Sequence, residues 1–426
     1  VNRIRDGYKM TELGVIPDEW QIKKLEDIFE RITDKNKENE SNNVLTISAQ
    51  MGLVNQEKFF NKNIASKNTE NYYLLKKDDF AYNKSYSTGY PMGAIKRLNN
   101  YEKGIVSPLY ICFRKKNELA NNNFYEHFFE HTIFDNAIAS IAQEGARNHG
   151  LLNVSVSEFF SLPIVFPPVK EQKKIASILS TVDEQIDNVD GLIEKNKELK
   201  NGLMQQLLTK GIGHTKFKHT EIGEIPEEWE VLKIGEIAKF QGGYAFRSSD
   251  YIDNGINLVK ITNVQQKDLI WSETDFLPTE FLDKYSEYRL NIDDVVIAMT
   301  RPIISSGIKV CKIKETDIPA LLNQRVGRFI CSDRVSGKYL YQYCLSNYFI
   351  NKVSELCSTT GQPNVSSNQI ESIMISLPSI NEQEEIESIL SEVDRKITEY
   401  ENKKQKLEEL KKGLMQQLLT GKIRTV

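Results

Sequence analysis

Cysteine is scarce in this sequence: five in 426 residues, Cys112, Cys311, Cys331, Cys344 and Cys357, with no C-x-x-C pair among them. So odd and scattered a set excludes a disulfide framework and a thiolate zinc site, and leaves buried free thiols as the ordinary reading. Long apolar runs are missing too. No stretch approaches the roughly 18 residues of a membrane span, and the opening VNRIRDGYKMTELG has no hydrophobic segment of the signal-peptide kind. The expectation is a cytoplasmic protein without membrane contact. An excess of one charge is also lacking: 55 Lys and Arg against 59 Asp and Glu leave a net charge of −4. Any surface for nucleic acid must therefore be a local patch. The sequence motifs of nucleotide chemistry are absent as well. There is no G-x-x-x-x-G-K-[ST] loop, and Gly211-Ile212-Gly213 has no strand before it. The only Pro-Pro, Pro167-Pro168, follows Phe166 where a methyltransferase would carry Asn or Asp, and it starts a helix.

What the chain does have is repetition. Residues 8 to 29 (YKMTELGVIPDEWQIKKLEDIF) return at 217 to 238 (FKHTEIGEIPEEWEVLKIGEIA), so that Thr11, Gly14, Pro17 and Trp20 match Thr220, Gly223, Pro226 and Trp229. A second block, 150 to 212, returns without a gap at 361 to 423. Within it Gly150, Asn153, Pro167, Glu171 and Gln172 become Gly361, Asn364, Pro378, Glu382 and Gln383, and GLMQQLLT recurs letter for letter at 202 to 209 and 413 to 420. Between these blocks, 30 to 149 and 239 to 360 have similar length and little common sequence. Two copies of a period near 210 residues make a duplicated domain pair, not a solenoid.

The constant tails carry a helical stripe. Ile175, Leu179, Val182, Ile186, Val189 and Ile193 alternate spacings of four and three, extended by Leu199, Leu203 and Leu207. The second copy runs Ile386, Leu390, Val393, Ile397, Tyr400, Leu407, Leu410, Leu414 and Leu418, with Asn196 and Lys404 as polar interruptions. Each predicts a coiled-coil helix of about 37 residues, roughly 55 Å long. The variable segments predict mixed structure, with strands at 44 to 48, 107 to 113, 257 to 261, 294 to 299 and 326 to 331 and helices at 123 to 142 and 338 to 357.

Catalytic patterns are thin. His127, Glu130 and His131 spell H-x-x-E-H, a zinc-site order, but Phe124, Phe128, Phe129 and Phe134 surround them, which favours an apolar core helix. Asp293-Asp294 has no E-x-K close behind it and reads as a solvated strand entry. Candidates for DNA contact lie in the variable segments, where basic, amide and aromatic side chains interleave. In the first half these are Asn83, Lys84, Ser85, Tyr86 and Tyr90 on a glycine-containing loop, then Arg147 and Asn148. In the second half they are Tyr244, Phe246, Arg247 and Ser248, then Arg301, then Asn323, Gln324 and Arg325. Arg matches the edge of guanine and Asn or Gln that of adenine, whereas Lys and Ser on phosphates position without specifying. An ordinary loop role remains the alternative for each residue singly.

The whole organisation resembles the specificity subunit of type I restriction-modification systems. The resemblance rests on LGVIPDEW and IGEIPEEW, on PPVKEQKKIASIL at 167 to 179 and PSINEQEEIESIL at 378 to 390, and on the two octets. It covers essentially the whole chain, and Ser379 in place of the second proline is a small departure. It implies an α+β fold: two mixed recognition domains, 1–166 and 211–377, separated by two long antiparallel coiled-coil helices, 167–210 and 378–423, with a pseudo-two-fold internal duplication. It further implies a non-catalytic chain that reads a bipartite, asymmetric double-stranded DNA target. Two modification and two restriction subunits would join it, with S-adenosylmethionine, ATP and Mg2+ held by those partners and no cofactor or metal here. Glu171, Gln172, Met204, Glu382, Gln383 and Met415 are the expected docking residues, with helix capping and seam packing as an equal alternative; Ile175, Leu179, Val182, Ile186, Ile386, Leu390, Val393 and Ile397 are the expected seam. The rivals are a stand-alone methyltransferase or nuclease, which would act without partners, and a coiled-coil protein adaptor, which would show no sequence-dependent DNA protection.

Overall fold

The computed structural model describes residues 4–60, 68–87, 89–142, 152–358 and 363–425. They form two compact units: the first comprises 1–190 and 402–426, the second 191–401. Each unit is built on the same plan. In the first, a hairpin pairs Tyr8–Thr11 with Gly14–Pro17, and Gln21–Lys24 then lies antiparallel to Pro163–Phe166, the strand that leads into the first long helix, Val169–Lys210. In the second, Phe217–Thr220 pairs with Gly223–Pro226, and Glu230–Lys233 with Met374–Leu377, just before the second long helix, Ile380–Leu418. The repeated T-E-L/I-G turn explains the hairpins. The threonine hydroxyl donates to the glycine carbonyl at 2.7 Å in both copies, and the glycines take positive φ, 98° at Gly14 and 112° at Gly223.

The variable part of each unit is centred on a four-stranded antiparallel sheet. Its order is Phe29–Arg31, Ile111–Lys115, Phe80–Asn83, Ala94–Arg97 in the first unit. In the second it is Ala238–Gly242, Val326–Cys331, Val295–Ala298, Val310–Lys312. The helical stretches expected at 123 to 142 and 338 to 357 are each two helices: Asn122–Phe129 and Thr132–Ile141, Gly337–Cys344 and Asn347–Ser358. In the first pair the break falls where the His131 ring accepts the Ile133 amide proton at 3.2 Å, capping the next helix. Aromatic rings fill the first core, Phe29, Phe80, Phe113, Tyr125 and Phe129 meeting at centroid distances of 5.2–5.9 Å. Trp229, Phe240, Tyr339 and Phe349 do the same work in the second.

The long helices have 42 and 39 residues, somewhat longer than the stripe predicts. They run antiparallel within each unit. In the first, Lys411 pairs with Asp183 and Lys404 with Asp190, both at 2.7 Å, one number rising by seven as the other falls by seven. In the second, Lys200 pairs with Asp394, and Lys197 lies 4.0 Å from Glu401. The compact units therefore cut the helices near their middles, unlike the segmentation at 167 and 378, because the helix ends are built into the domain cores. Ile175 and Leu179 pack in the first core together with Met415 and Leu418, and Ile386 and Leu390 pack in the second with Met204 and Leu207. Of the expected seam, Val182, Val393 and Ile397 are buried along the helix pair and Ile186 is half-buried. The stripe fails at Leu199 and Leu410, which are 51% and 50% exposed. The neighbouring Lys200 and Lys411 turn inward to meet aspartates, and a helix that turns one residue in swings its neighbour about 100° away. Lys404 finds an ion-pair partner, whereas Asn196 donates only to its own helix, to the Leu192 carbonyl.

Candidate nucleic-acid interface

The strand registers place most of the expected DNA-contacting residues at one end of each sheet. In the second unit Gly242 lies opposite Gly327 and Ala298 opposite Val326, so the loops 243–248, 299–309 and 323–325 leave from the same edge. Hydrogen bonds tie them together. The Met299 amide donates to the Arg325 carbonyl at 2.7 Å, the Gln324 amide to the Tyr244 carbonyl at 2.8 Å, and the Arg301 amide to the Pro363 carbonyl at 2.7 Å. Gly243 is required there, since a Cβ would come within 2.2 Å of the Asn323 carbonyl oxygen.

Arg247, Ser248, Arg301, Gln324, Arg325 and Tyr244 are exposed along this edge. Among the described residues the guanidinium groups of Arg247, Arg301 and Arg325 have no ion-pair partner, nor has that of Arg289, whereas Arg328, Arg334 and Arg395 of the same unit are paired. Arg301 and Arg325 also sit in left-handed backbone, at φ 47° and 66°. Residues other than glycine adopt that region at a cost of about 1–3 kcal/mol, and such strain collects at functional sites. Two expected contacts do not reach the surface. Phe246 is 5% exposed, clasped between Tyr244, Phe281 and Tyr285, and Asn323 is 7% exposed, with its side-chain oxygen accepting the Gln324 amide at 2.7 Å. Burial makes both of them supports of the edge; neither is a free contact.

In the first unit the corresponding end is formed by Arg31, Asn83, Ala94 and Ile111. The Asn83 side chain accepts the Ser85 amide at 3.1 Å, and the Lys84 carbonyl accepts the Leu152 amide at 3.0 Å. Tyr86 projects, 62% exposed, while Tyr90 is held by the Lys96 ammonium, 3.3 Å from its hydroxyl. Gly93, at φ 77°, permits the return of this loop, because a Cβ would stand 2.3 Å from the Asn83 carbonyl oxygen. Arg147 and Asn148 lie outside the described residues. The sheet register also brings Ser107–Tyr110 to this edge, with Leu109 exposed, which the sequence pattern did not single out because it was read as part of a strand.

Four of the expected docking residues, the two glutamates and the two glutamines, are engaged inside their own units. Glu171 is 2% exposed. It accepts Trp20 Nε1 at 2.9 Å and Arg424 at 2.8 and 3.0 Å, and although burial pushes its carboxyl upward, these bonds and the Thr425 amide hold it below the ordinary range. Glu382 repeats the arrangement with Trp229 at 2.9 Å, the Ile212 amide at 3.0 Å and His214 at 2.9 Å. Gln172 bridges the Asn121 amide and the Pro167 carbonyl; Gln383 bridges the Ser336 amide and the Pro378 and Arg334 carbonyls. These four act as fasteners, while Met204 and Met415 pack in the two cores and also line cavities. Sequence reasoning missed Arg424 and His214, although the glutamate and tryptophan were already paired in the repeats. Just past the helix ends, Gly211 and Gly421 take φ 66° and 67°, where a Cβ would come within 2.7 Å of Trp229 and 2.4 Å of Pro17.

The H-x-x-E-H triplet disperses. His127 faces Asp183 and Ser180, Glu130 meets Lys96 and Lys411, and His131 caps a helix. Burial lowers the His127 pKa to about 4 against the pull of Asp183. Gln342 takes the same place in the second unit, 3.3 Å from Asp394.

Read together, the geometry defines a duplicated scaffold that presents two unlike edges and holds no set of groups arranged for bond making among the described residues. The type I restriction modification DNA specificity domain matches residues 17–198 and 226–412, and the chain belongs to that family. It is 36% identical over 325 residues to the type I restriction enzyme MjaVIII specificity subunit of Methanocaldococcus jannaschii, covering 76% of this chain and 75% of that one. It is also 26% identical to the putative type I restriction enzyme MjaX specificity subunit of the same organism, over 98% and 97%. In fold it is similar to the crystal structure of a type I restriction-modification S subunit from M. genitalium, at TM-score 0.56 and 16% identity, over 98% of this chain and 97% of that one. The chain is thus a non-catalytic specificity component, of a kind that binds DNA and acts with modification and restriction subunits. Among the described residues no helix is long and apolar enough to cross a membrane.

Proposed function

We propose that each unit is a target-recognition domain whose sheet end reads one half of a two-part, asymmetric DNA sequence. The observation that carries this is the second unit's edge, where unpaired arginines stand beside Gln324 and Tyr244 on loops tied to one another. Arg and Gln have the two-pronged geometry that matches purine edges in the major groove. The first unit offers Asn83, Lys84, Ser85, Tyr86 and Tyr90 from the equivalent end, so unlike edges give unlike half-sites. The segment 143–151, with Arg147 and Asn148, joins this set as an expectation from sequence.

The long helices act as the spacer. At about 1.5 Å per residue, 42 and 39 residues give rods of roughly 60 Å, long enough to set a gap between half-sites. The repeated octets serve two copies each of the modification and restriction subunits, the modification subunits docking directly. Met204, Gln205, Leu208 and Thr209 line a cavity of about 310 Å³ with Ile222, Ile225 and Tyr348, and Met415 and Gln416 line a larger cleft in the first unit. A duplicated chain suits two copies of one partner.

The test is replacement of residues 239–360 by another variable domain, followed by mapping of methylated bases with the modification subunit present. One half-site should change and the other stay. Change in both halves, or in neither, would refute independent reading.

A further inference from the structure

We infer that the half-site read by the second unit contains two fixed G·C pairs, one contacted by Arg301 and the other by Arg325. This rests on the reading above that the sheet end faces DNA, and it adds which bases are read there.

The argument begins with what these two side chains lack. Both are exposed, and neither guanidinium has an ion-pair partner among the described residues; Arg289 shares that lack, but on ordinary backbone at φ −66°, while Arg328, Arg334 and Arg395 are paired. Both sit at left-handed φ, 47° and 66°, on loops that leave adjacent strands, and the two loops are joined by the bond from the Met299 amide to the Arg325 carbonyl. A phosphate contact needs no such arrangement, since a flexible lysine on ordinary backbone supplies it. A strained backbone that aims a planar, five-donor fork outward suits a target with fixed direction and two acceptors. In the major groove that target is guanine, through O6 and N7. Neighbouring strands lie about 4.8 Å apart and stacked base pairs about 3.4 Å, so two arginines on adjacent strand ends reach different pairs of one short half-site. The first unit has no arginine among the described residues of its matching loop 83–93. The arginine pair on adjacent strand ends is thus a feature of the second unit's edge, without a counterpart in the loop 83–93.

The experiment uses the full chain assembled with its modification subunit, S-adenosylmethionine and a DNA library, with methylated sites mapped by sequencing. Arg301→Gly and Arg325→Gly are the variants, since glycine keeps the left-handed backbone while removing the fork; Arg301→Ala and Arg325→Ala serve as checks. Each variant should relax one G·C position, a different one for each arginine, with discrimination there falling about ten- to hundredfold and the other half-site unchanged. The assignment is overturned if the half-site lacks two G·C pairs. It is also overturned if the variants weaken methylation evenly across sequences with the motif intact and a shallower salt dependence, the behaviour of phosphate contacts. If exchange of 239–360 alters the half-site while these variants do not relax it, only the guanine assignment fails. If that exchange alters nothing, the reading of the domain itself fails.

Discussion

The two glutamate clasps and the two sheet ends age differently within one duplicated chain. Glu171 and Glu382 hold their tryptophans at the same 2.9 Å, yet the first is closed by Arg424 and the second by His214 and the Ile212 amide. At the sheet ends hardly a side chain corresponds. A buried carboxylate stripped of its partners is costly, so the clasp tolerates a change of donor but not its loss. An exposed edge is free of that constraint, and its residues follow whatever they bind.

Removing either tryptophan puts that equivalence under the greatest strain. Trp20→Ala and Trp229→Ala each empty a fully buried site and should cost about 3–5 kcal/mol in chemical denaturation. A difference between them well beyond about 1 kcal/mol would show that the two cores are not energetically alike. Closing donors come next. Arg424→Ala leaves a 2% exposed carboxylate without its cation and should cost about 3 kcal/mol, whereas His214→Ala leaves Glu382 with two donors and should cost about 1 kcal/mol. Equal losses in denaturant midpoints would mean that the cation is not what holds Glu171.

The pair His127 and Gln342 sharpens the comparison with acidity. Burial lowers the His127 pKa from the ordinary 6.5 to about 4. The unfolded chain therefore binds this proton more readily in between, and the contribution is whole above pH 6.5 and declines as pH falls toward 4. His127→Gln, which copies the second unit, should remove about 2 kcal/mol of the stability lost between pH 7 and pH 5. Unfolding curves of both proteins at the two pH values decide it, and parallel losses would rule out His127 as the source.

The duplicated plan was legible because repetition exposes what geometry requires: the T-E-L/I-G turn recurs because its threonine bonds its glycine, and the tryptophan and glutamate recur because they bond each other. The long helices followed from the same stripe. What the stripe could not tell was where it leaves the helix pair. Ile175 and Ile386 belong to domain cores, and Leu199 and Leu410 yield their places to lysines, because those choices depend on aspartates far away in sequence. Exposure was equally invisible. Phe246 and Asn323 carry the same letters as surface contacts, and only the fold shows them underneath. The four strand ends that gather Arg301, Arg325, Gln324 and Tyr244 come from separate stretches, so their company emerges with the sheet register.

On the guanine assignment proposed above, the left-handed backbone at Arg301 and Arg325 sets durability against discernment. Glycine at either place would relieve about 1 kcal/mol of conformational penalty, leaving a hardier protein with poorer eyesight. On that assignment, selection for toughness alone would erase these arginines first.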